Sequence, residues 1–207
     1  MPMQHRAWQR VEAALAAAEQ MIGQLGPEQV SIPEIAKAAN IPRASLYQFF
    51  PDKYALLARL AEIHMGRVID LVAQGTRVQA YDSYHAYTRA LINTVSDYYD
   101  ATPAANILVL GGPYSRSAYL AQENTVSKIG DILREAIETQ IPAITIPRSP
   151  DVATLAVEIA FACMKHGYYE DGHISEVIRE QAVTAVVAYV QANVPEMGKA
   201  FSEQTLK

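Results

Sequence analysis

Ser31-Ile32-Pro33-Glu34-Ile35-Ala36-Lys37-Ala38-Ala39-Asn40-Ile41-Pro42-Arg43-Ala44-Ser45-Leu46-Tyr47-Gln48-Phe49-Phe50-Pro51-Asp52-Lys53 is the stretch on which the reading of this chain turns. Ser31 and Glu34 have the spacing of a capping box, in which the two side chains satisfy each other's free backbone donors at a helix start. Ile32, Ile35, Ala36 and Ala39 give the narrow apolar face of a helix over about 32–39. Asn40 stands where the chain must turn, and Asn tolerates a left-handed backbone better than most residues. Ile41 can plug the corner, and Pro42 presets the first turn of a second helix over about 43–50. In that helix Leu46, Phe49 and Phe50 are expected to point inward, leaving Arg43, Ala44, Tyr47 and Gln48 outside. An outward Tyr among Arg43, Ser45 and Gln48 suits a helix in a DNA major groove, where small residues permit close approach and polar ones reach bases or phosphates. Asp52 is placed to cap the following helix. Lys53, in its first turn, can meet a phosphate beside free backbone N–H groups.

Outward from this stretch almost every segment reads as helix. Upstream, Trp8, Val11, Leu15, Ala18, Ile22 and Leu25 recur at steps of three and four, and Gly26-Pro27 ends the run with an expected left-handed cap. Downstream, helices are expected over about 53–72, 80–100, 115–138, 151–170 and 174–193, with a short segment begun by Pro103 and ended by Gly111-Gly112-Pro113. Pro142, Pro147 and Pro150 mark an irregular connection, with Ser149-Pro150 expected to open the next helix. No alternating strand pattern of convincing length occurs, so the fold class is all-α.

Composition agrees with a packed protein: of 207 residues, 50% are hydrophobic and 19% charged. The N-terminus lacks the uninterrupted apolar core of a signal peptide, and no run is long enough to cross a bilayer, so a cytoplasmic protein without a membrane partner is expected. The single cysteine, Cys163, excludes an internal disulfide and a Cys-rich metal site. The net charge of −5 argues against a nucleic-acid partner, but residues 1–60 carry +1 and the remainder −6, which leaves the first part free to meet phosphate.

The pattern Leu25-Gly26, Val30-Ser31, Ile35-Ala36, Ala39-Asn40-Ile41 and Ser45-Leu46-Tyr47-Gln48-Phe49-Phe50-Pro51-Asp52-Lys53, with Leu56-Leu57 after it, closely resembles the TetR family of transcriptional regulators. The resemblance covers about residues 6–60 in detail and continues only as a helical chain of suitable length. Asn40 replaces the glycine common at the corner, and Pro42 a common Ser or Thr cap, which removes one hydroxyl that could touch phosphate. The resemblance implies an N-terminal helix-turn-helix domain, residues 1–52, and a larger ligand-binding and dimerisation domain, residues 53–207. It implies a homodimeric repressor that leaves a palindromic, double-stranded operator when a small effector binds, with the helix from Lys53 onward linking the two parts. Ser31, Arg43, Ala44, Ser45, Tyr47, Gln48 and Lys53 are the candidate DNA-binding residues. Tyr47 and Lys53 are expected on phosphates; Arg43, Ala44 and Gln48 on base edges.

Beyond the helix-turn-helix, twelve tyrosines against four phenylalanines are a real bias. Tyrosine joins an apolar body to a polar tip, which suits a pocket for amphipathic molecules as well as the margin of a core. The candidate pocket combines Tyr84, Tyr87, Leu91 and Tyr98 on one helix stripe with Asn106, Phe161 and Met164. It lacks fixed charge and favours a neutral, moderately aromatic ligand. The last two long helices are apolar on broad faces, and Leu155, Ile159, Cys163, Ile178, Ala182, Val186 and Tyr189 are candidates for a four-helix dimer interface. Cys163 and His166 share a helix, but a buried Cys in a helix interface beside a partly exposed His explains them better than a nucleophile or metal pair; His64 and His85 read as core or rim residues. No base, nucleophile and orienting acid assemble, and no cofactor or metal site is expected. The competing reading is a helical small-molecule-binding protein without operator-specific DNA binding.

Overall fold

The computed structural model describes residues 2–77, 80–112 and 114–204. Its helices are α1 (Pro2–Leu25), α2 (Ile32–Ala38), α3 (Arg43–Phe49), α4 (Lys53–Gln74), α5 (Tyr84–Ala101), α6 (Pro103–Ala105), α7 (Arg116–Gln140), α8 (Val152–Asp171), α9 (Glu176–Asn193) and α10 (Met197–Gln204). A 3-10 turn at Pro27–Gln29 follows α1, and α6 continues into a π-helical turn at Asn106–Leu110. Among the described residues there is no strand, so the fold is all-α, and no helix is long and apolar enough to cross a membrane.

The chain divides into two compact units, Met1–His64 with Thr102–Ala121, and Met65–Ala101 with Gln122–Lys207. In the first, α1 buries Ala14, Leu15, Ala18 and Ile22, and α2, α3 and α4 bury Ile32, Ile35, Leu46, Leu56, Leu57 and Leu60. The expected stripe on α1 holds only in its middle: Trp8 is 58% exposed and Leu25 47%. The reason is length, because α1 has 24 residues whereas α2 and α3, which pack on it, have seven each. The segment after Thr102 also packs on α1, with Pro103 Cβ only 3.4 Å from where a Cβ on Gly23 would stand. Gly26 does take a positive φ of 79°, but its ψ of 161° is extended, so it turns the chain without a left-handed cap.

In the second unit α9 lies between α5 and α8 and buries Ala182, Val183, Val186, Val187 and Val190. Arg179 fastens α9 to α5, donating to Asp97, to Asp100 at 2.8 Å and to the Ile174 carbonyl at 2.9 Å. Asp100 in turn accepts the Ile174 N–H at 2.9 Å. The start of α8 is capped by Asp151, which accepts the Thr154 N–H at 3.1 Å, and not by Ser149. A carboxylate does this better than a hydroxyl here because it also pairs with the buried Arg134 of α7. The sequence reading missed α10, which packs Met197 and Phe201 into the unit, with the Phe201 ring 5.5 Å from Tyr84 and 5.7 Å from Tyr87. Eight residues containing two glycine or lysine positions show too little periodicity to declare themselves.

Candidate nucleic-acid interface

The interface is built from the turn between α2 and α3. Ser31 starts α2 by accepting the Glu34 N–H at 3.4 Å, and the Glu34 carboxylate accepts the Ser31 hydroxyl at 2.6 Å. The capping box thus closes through the hydroxyl and not through the Ser31 backbone N–H. At the other end the Ile41 N–H reaches the Ala36 carbonyl at 2.9 Å and the Asn40 N–H the Lys37 carbonyl at 3.2 Å. This is a Schellman closure, whose middle residue must be left-handed. Asn40 supplies it with φ of 54°, the only positive φ outside glycine among the described residues.

Pro42 stands at the N-cap of α3, one position ahead of the helical turn expected for it, and its carbonyl accepts from Ser45 and Leu46. Leu46 and Phe50 go into the core. Phe49 does not: it is 41% exposed, contrary to expectation. The helix ends at Phe49, and Phe50 leaves it in an extended conformation, φ −130° and ψ 98°, which carries its ring into the core in place of its neighbour's. Arg43, Ala44, Tyr47 and Gln48 are exposed and Ser45 half-buried, so α3 presents a largely polar outer surface. Arg43 and Tyr47 meet there: Nη2 donates to the phenol oxygen at 3.4 Å, and the guanidinium lies 5.5 Å from the ring centre. Asp52 caps α4, accepting the Ala55 N–H at 2.8 Å. Lys53 is half-buried; its ammonium donates to the carbonyls of Pro27 at 3.2 Å and Glu28 at 3.3 Å and lies 5.7 Å from the Tyr54 ring centre. Sequence reasoning missed that second duty, because those carbonyls lie 26 and 25 residues away.

Asn106 belongs to the first unit and is buried; Tyr84, Tyr87, Leu91, Tyr98, Phe161 and Met164 belong to the second. Tyr84, Tyr87 and Met164 are buried, while Leu91, Tyr98 and Phe161 are half-buried. Burial pushes the Tyr84 phenol up to about 12, a Thr88 hydrogen bond opposing, and pushes Tyr87 up as well, with Tyr84 and Tyr81 adding to it. Both are neutral phenols throughout the physiological range. Leu91 fills the space beside Gly75, where a Cβ would stand 2.6 Å from its Cδ2. Of the interface candidates, Leu155 is 41% exposed, and Ile159, Cys163, Ile178 and Tyr189 are half-buried. Ala182 and Val186 are buried within their own unit. The exposed line on α9 is instead Val177, Gln181, Thr184 and Ala188, without a charge. Burial pushes the Cys163 thiol up, opposite to what a reactive thiolate needs. His166 and His85 are exposed, and His64 is buried with Nε2 3.6 Å from the Glu19 carboxylate.

A capped first helix, a left-handed corner and a second helix with a polar outer face define a helix-turn-helix regulator of the DNA-binding class. Residues 14–60 match the model of the bacterial regulatory proteins, tetR family. Solved structures with the same fold include a TetR-family transcriptional regulator from Streptomyces coelicolor (19% identity, 89% of this chain and 99% of that one, TM-score 0.61). The fatty acid degradation regulator FadR from Bacillus halodurans (15%, 87% and 94%, 0.63) and the SmeT–triclosan complex (17%, 86% and 90%, 0.58) are similar too. No curated protein sequence matches the chain. Residues 14–60 are thus an N-terminal DNA-binding domain of the kind found in the bacterial regulatory proteins of the tetR family, and the chain as a whole has the fold of the regulators it resembles.

Proposed function

We propose that this regulator is a homodimeric, cytoplasmic repressor that holds a palindromic operator through two copies of α3 and leaves it when a small ligand binds the C-terminal domain. Residues 1–52 serve as the DNA-binding domain and 53–207 as the ligand-binding and dimerisation domain. The observation that carries the reading is the outer surface of α3, where Arg43, Ala44, Tyr47 and Gln48 are exposed over a buried Leu46. Ala44 permits close approach, Gln48 and Arg43 reach base edges, and Tyr47 and Ser31 reach the backbone. The uncharged line of α8 (exposed Leu155, half-buried Ile159 and Cys163) and the exposed, uncharged line of α9 (Val177, Gln181, Thr184, Ala188) support dimerisation by a four-helix bundle. In the second unit the tyrosines support a neutral, amphipathic effector, as does the Tyr87 hydroxyl, which is buried without a hydrogen-bond partner. The structure of the similar SmeT, a complex with triclosan, supports ligand binding by this fold.

Randomised-site selection followed by salt titration tests the reading. A twofold-symmetric duplex bound well above random DNA is the expected result, and replacing Arg43 or Gln48 by Ala should cost about 1–3 kcal/mol while relaxing preference at one base position. If both variants keep the wild-type preference, base reading does not run through them. The charge of only +1 over residues 1–60 favours the second reading, a ligand-binding protein without operator specificity. Binding with no preference among duplexes at any salt concentration would establish that one.

A further inference from the structure

We infer that Phe49 is a specificity-determining residue that reads the C5-methyl group of a thymine in the major groove; this rests on the operator-binding reading above. The residue is the last of α3 and is 41% exposed. Helical residues are set about 100° apart around the axis, which divides α3 by side. With the buried Leu46 as the inner pole, Ala44 and Gln48 lie at the outer pole, Arg43 and Tyr47 on one flank, and Ser45 and Phe49 on the other. The first flank carries a guanidinium and a phenol that hydrogen-bond each other. The second ends in a phenyl ring with no donor or acceptor.

The core does not need this ring. Phe50, next in the chain, is 6% exposed and fills the inner position through its extended backbone. Phe49 is therefore an aromatic left at the surface of the helix that faces DNA. Phosphates and polar base edges offer it nothing. The one apolar group at a base edge in the major groove is the thymine methyl, and Phe is among the residues that pack on it. Deoxyribose carbons are apolar as well, but every nucleotide has them, so a ring on sugar adds affinity without preference.

The test uses the full-length protein and a duplex obtained by randomised-site selection. Each thymine is replaced singly by deoxyuridine, which deletes the methyl group and keeps the pairing. Wild type should lose about fourfold in affinity at one thymine per half-site, the worth of one buried methyl group. Phe49→Ala should bind the thymine duplex more weakly by a similar factor and be indifferent to deoxyuridine at that position. Phe49→Leu, still apolar, should retain part of the discrimination. An exposed side chain should not be needed for folding, and an unchanged thermal midpoint and helical spectrum for both variants verify this. Wild type that is insensitive to deoxyuridine everywhere overturns the inference, as does Phe49→Ala with undiminished sensitivity. If Phe49→Ala weakens all duplexes alike, the ring sits on sugars and the inference again fails. A selection that returns no preferred duplex removes the operator reading itself, which is a different result from a preferred duplex indifferent to its methyl groups.

Discussion

Two backbone carbonyls, those of Pro27 and Glu28, already hold the Lys53 ammonium, and this changes what a substitution there does. An ammonium has three donors, so one remains for a phosphate. Lys53→Ala should therefore lower stability by about 1 kcal/mol, the net worth of partly exposed hydrogen bonds. It should also flatten the dependence of operator affinity on salt by about one unit. Urea midpoints and binding at three salt concentrations check the two effects separately. A stability loss with an unchanged salt slope would make Lys53 a strut between the 3-10 turn and α4, with no part in the DNA contact. Asn40 was legible at this scale because only a few residue types accept its φ of 54°. Phe49 and the second duty of Lys53 were not, since each depends on where a neighbour's backbone goes.

Two helix pairs in the second unit lend themselves to tests at the scale of elements. On α9, Ala182 and Val186 face its own unit, and Gln181, Thr184 and Ala188 face out. Leu155→Glu and Ala188→Glu together should yield folded monomers in sedimentation and lose operator affinity, because each half-site contact alone is weak. Val186→Asp should instead unfold the second unit by burying an unpaired charge. Dimers that persist in the double variant would place the interface elsewhere. Between α7 and α8 the Asp151 carboxyl is raised by burial but lowered further by the Thr154 N–H and hydroxyl and by Arg134, and it ends below the ordinary aspartate range. A depressed folded-state value means stability that is present in full above the unfolded value of about 3.9 and is lost as pH falls through the lower, folded one. Asp151→Asn should thus be less stable than wild type at neutral pH, and the gap should close in strong acid. Parallel urea midpoints from pH 7 to 2 would deny Asp151 any pH-linked role.

Over the whole molecule, ligand response and DNA binding must be separable for the repressor reading to hold. Tyr98 is half-buried, so Tyr98→Ala should weaken the response to effector while leaving ligand-free operator binding intact. Tyr87 is 2% exposed and packs against Tyr81, Tyr84 and Phe201, so Tyr87→Ala should cost about 3–5 kcal/mol and impair both activities. Operator release measured by anisotropy beside a thermal melt distinguishes the two outcomes. Equal loss of both activities in Tyr98→Ala would make that residue packing as well. By itself the sequence determined whatever is local: the helix class from apolar spacing, the capping box at Ser31, the left-handed corner at Asn40, and the polar outer surface of α3. These depend on residues within a turn or two of one another, and propensity and hydrogen-bonding chemistry act at that range. Only the tertiary structure decided which side of α9 is already covered, which of two adjacent phenylalanines enters the core, and where the Lys53 ammonium rests. An apolar stripe records that a side chain is better out of water. What removes it from water is set by helices that the chain brings back from far along its length.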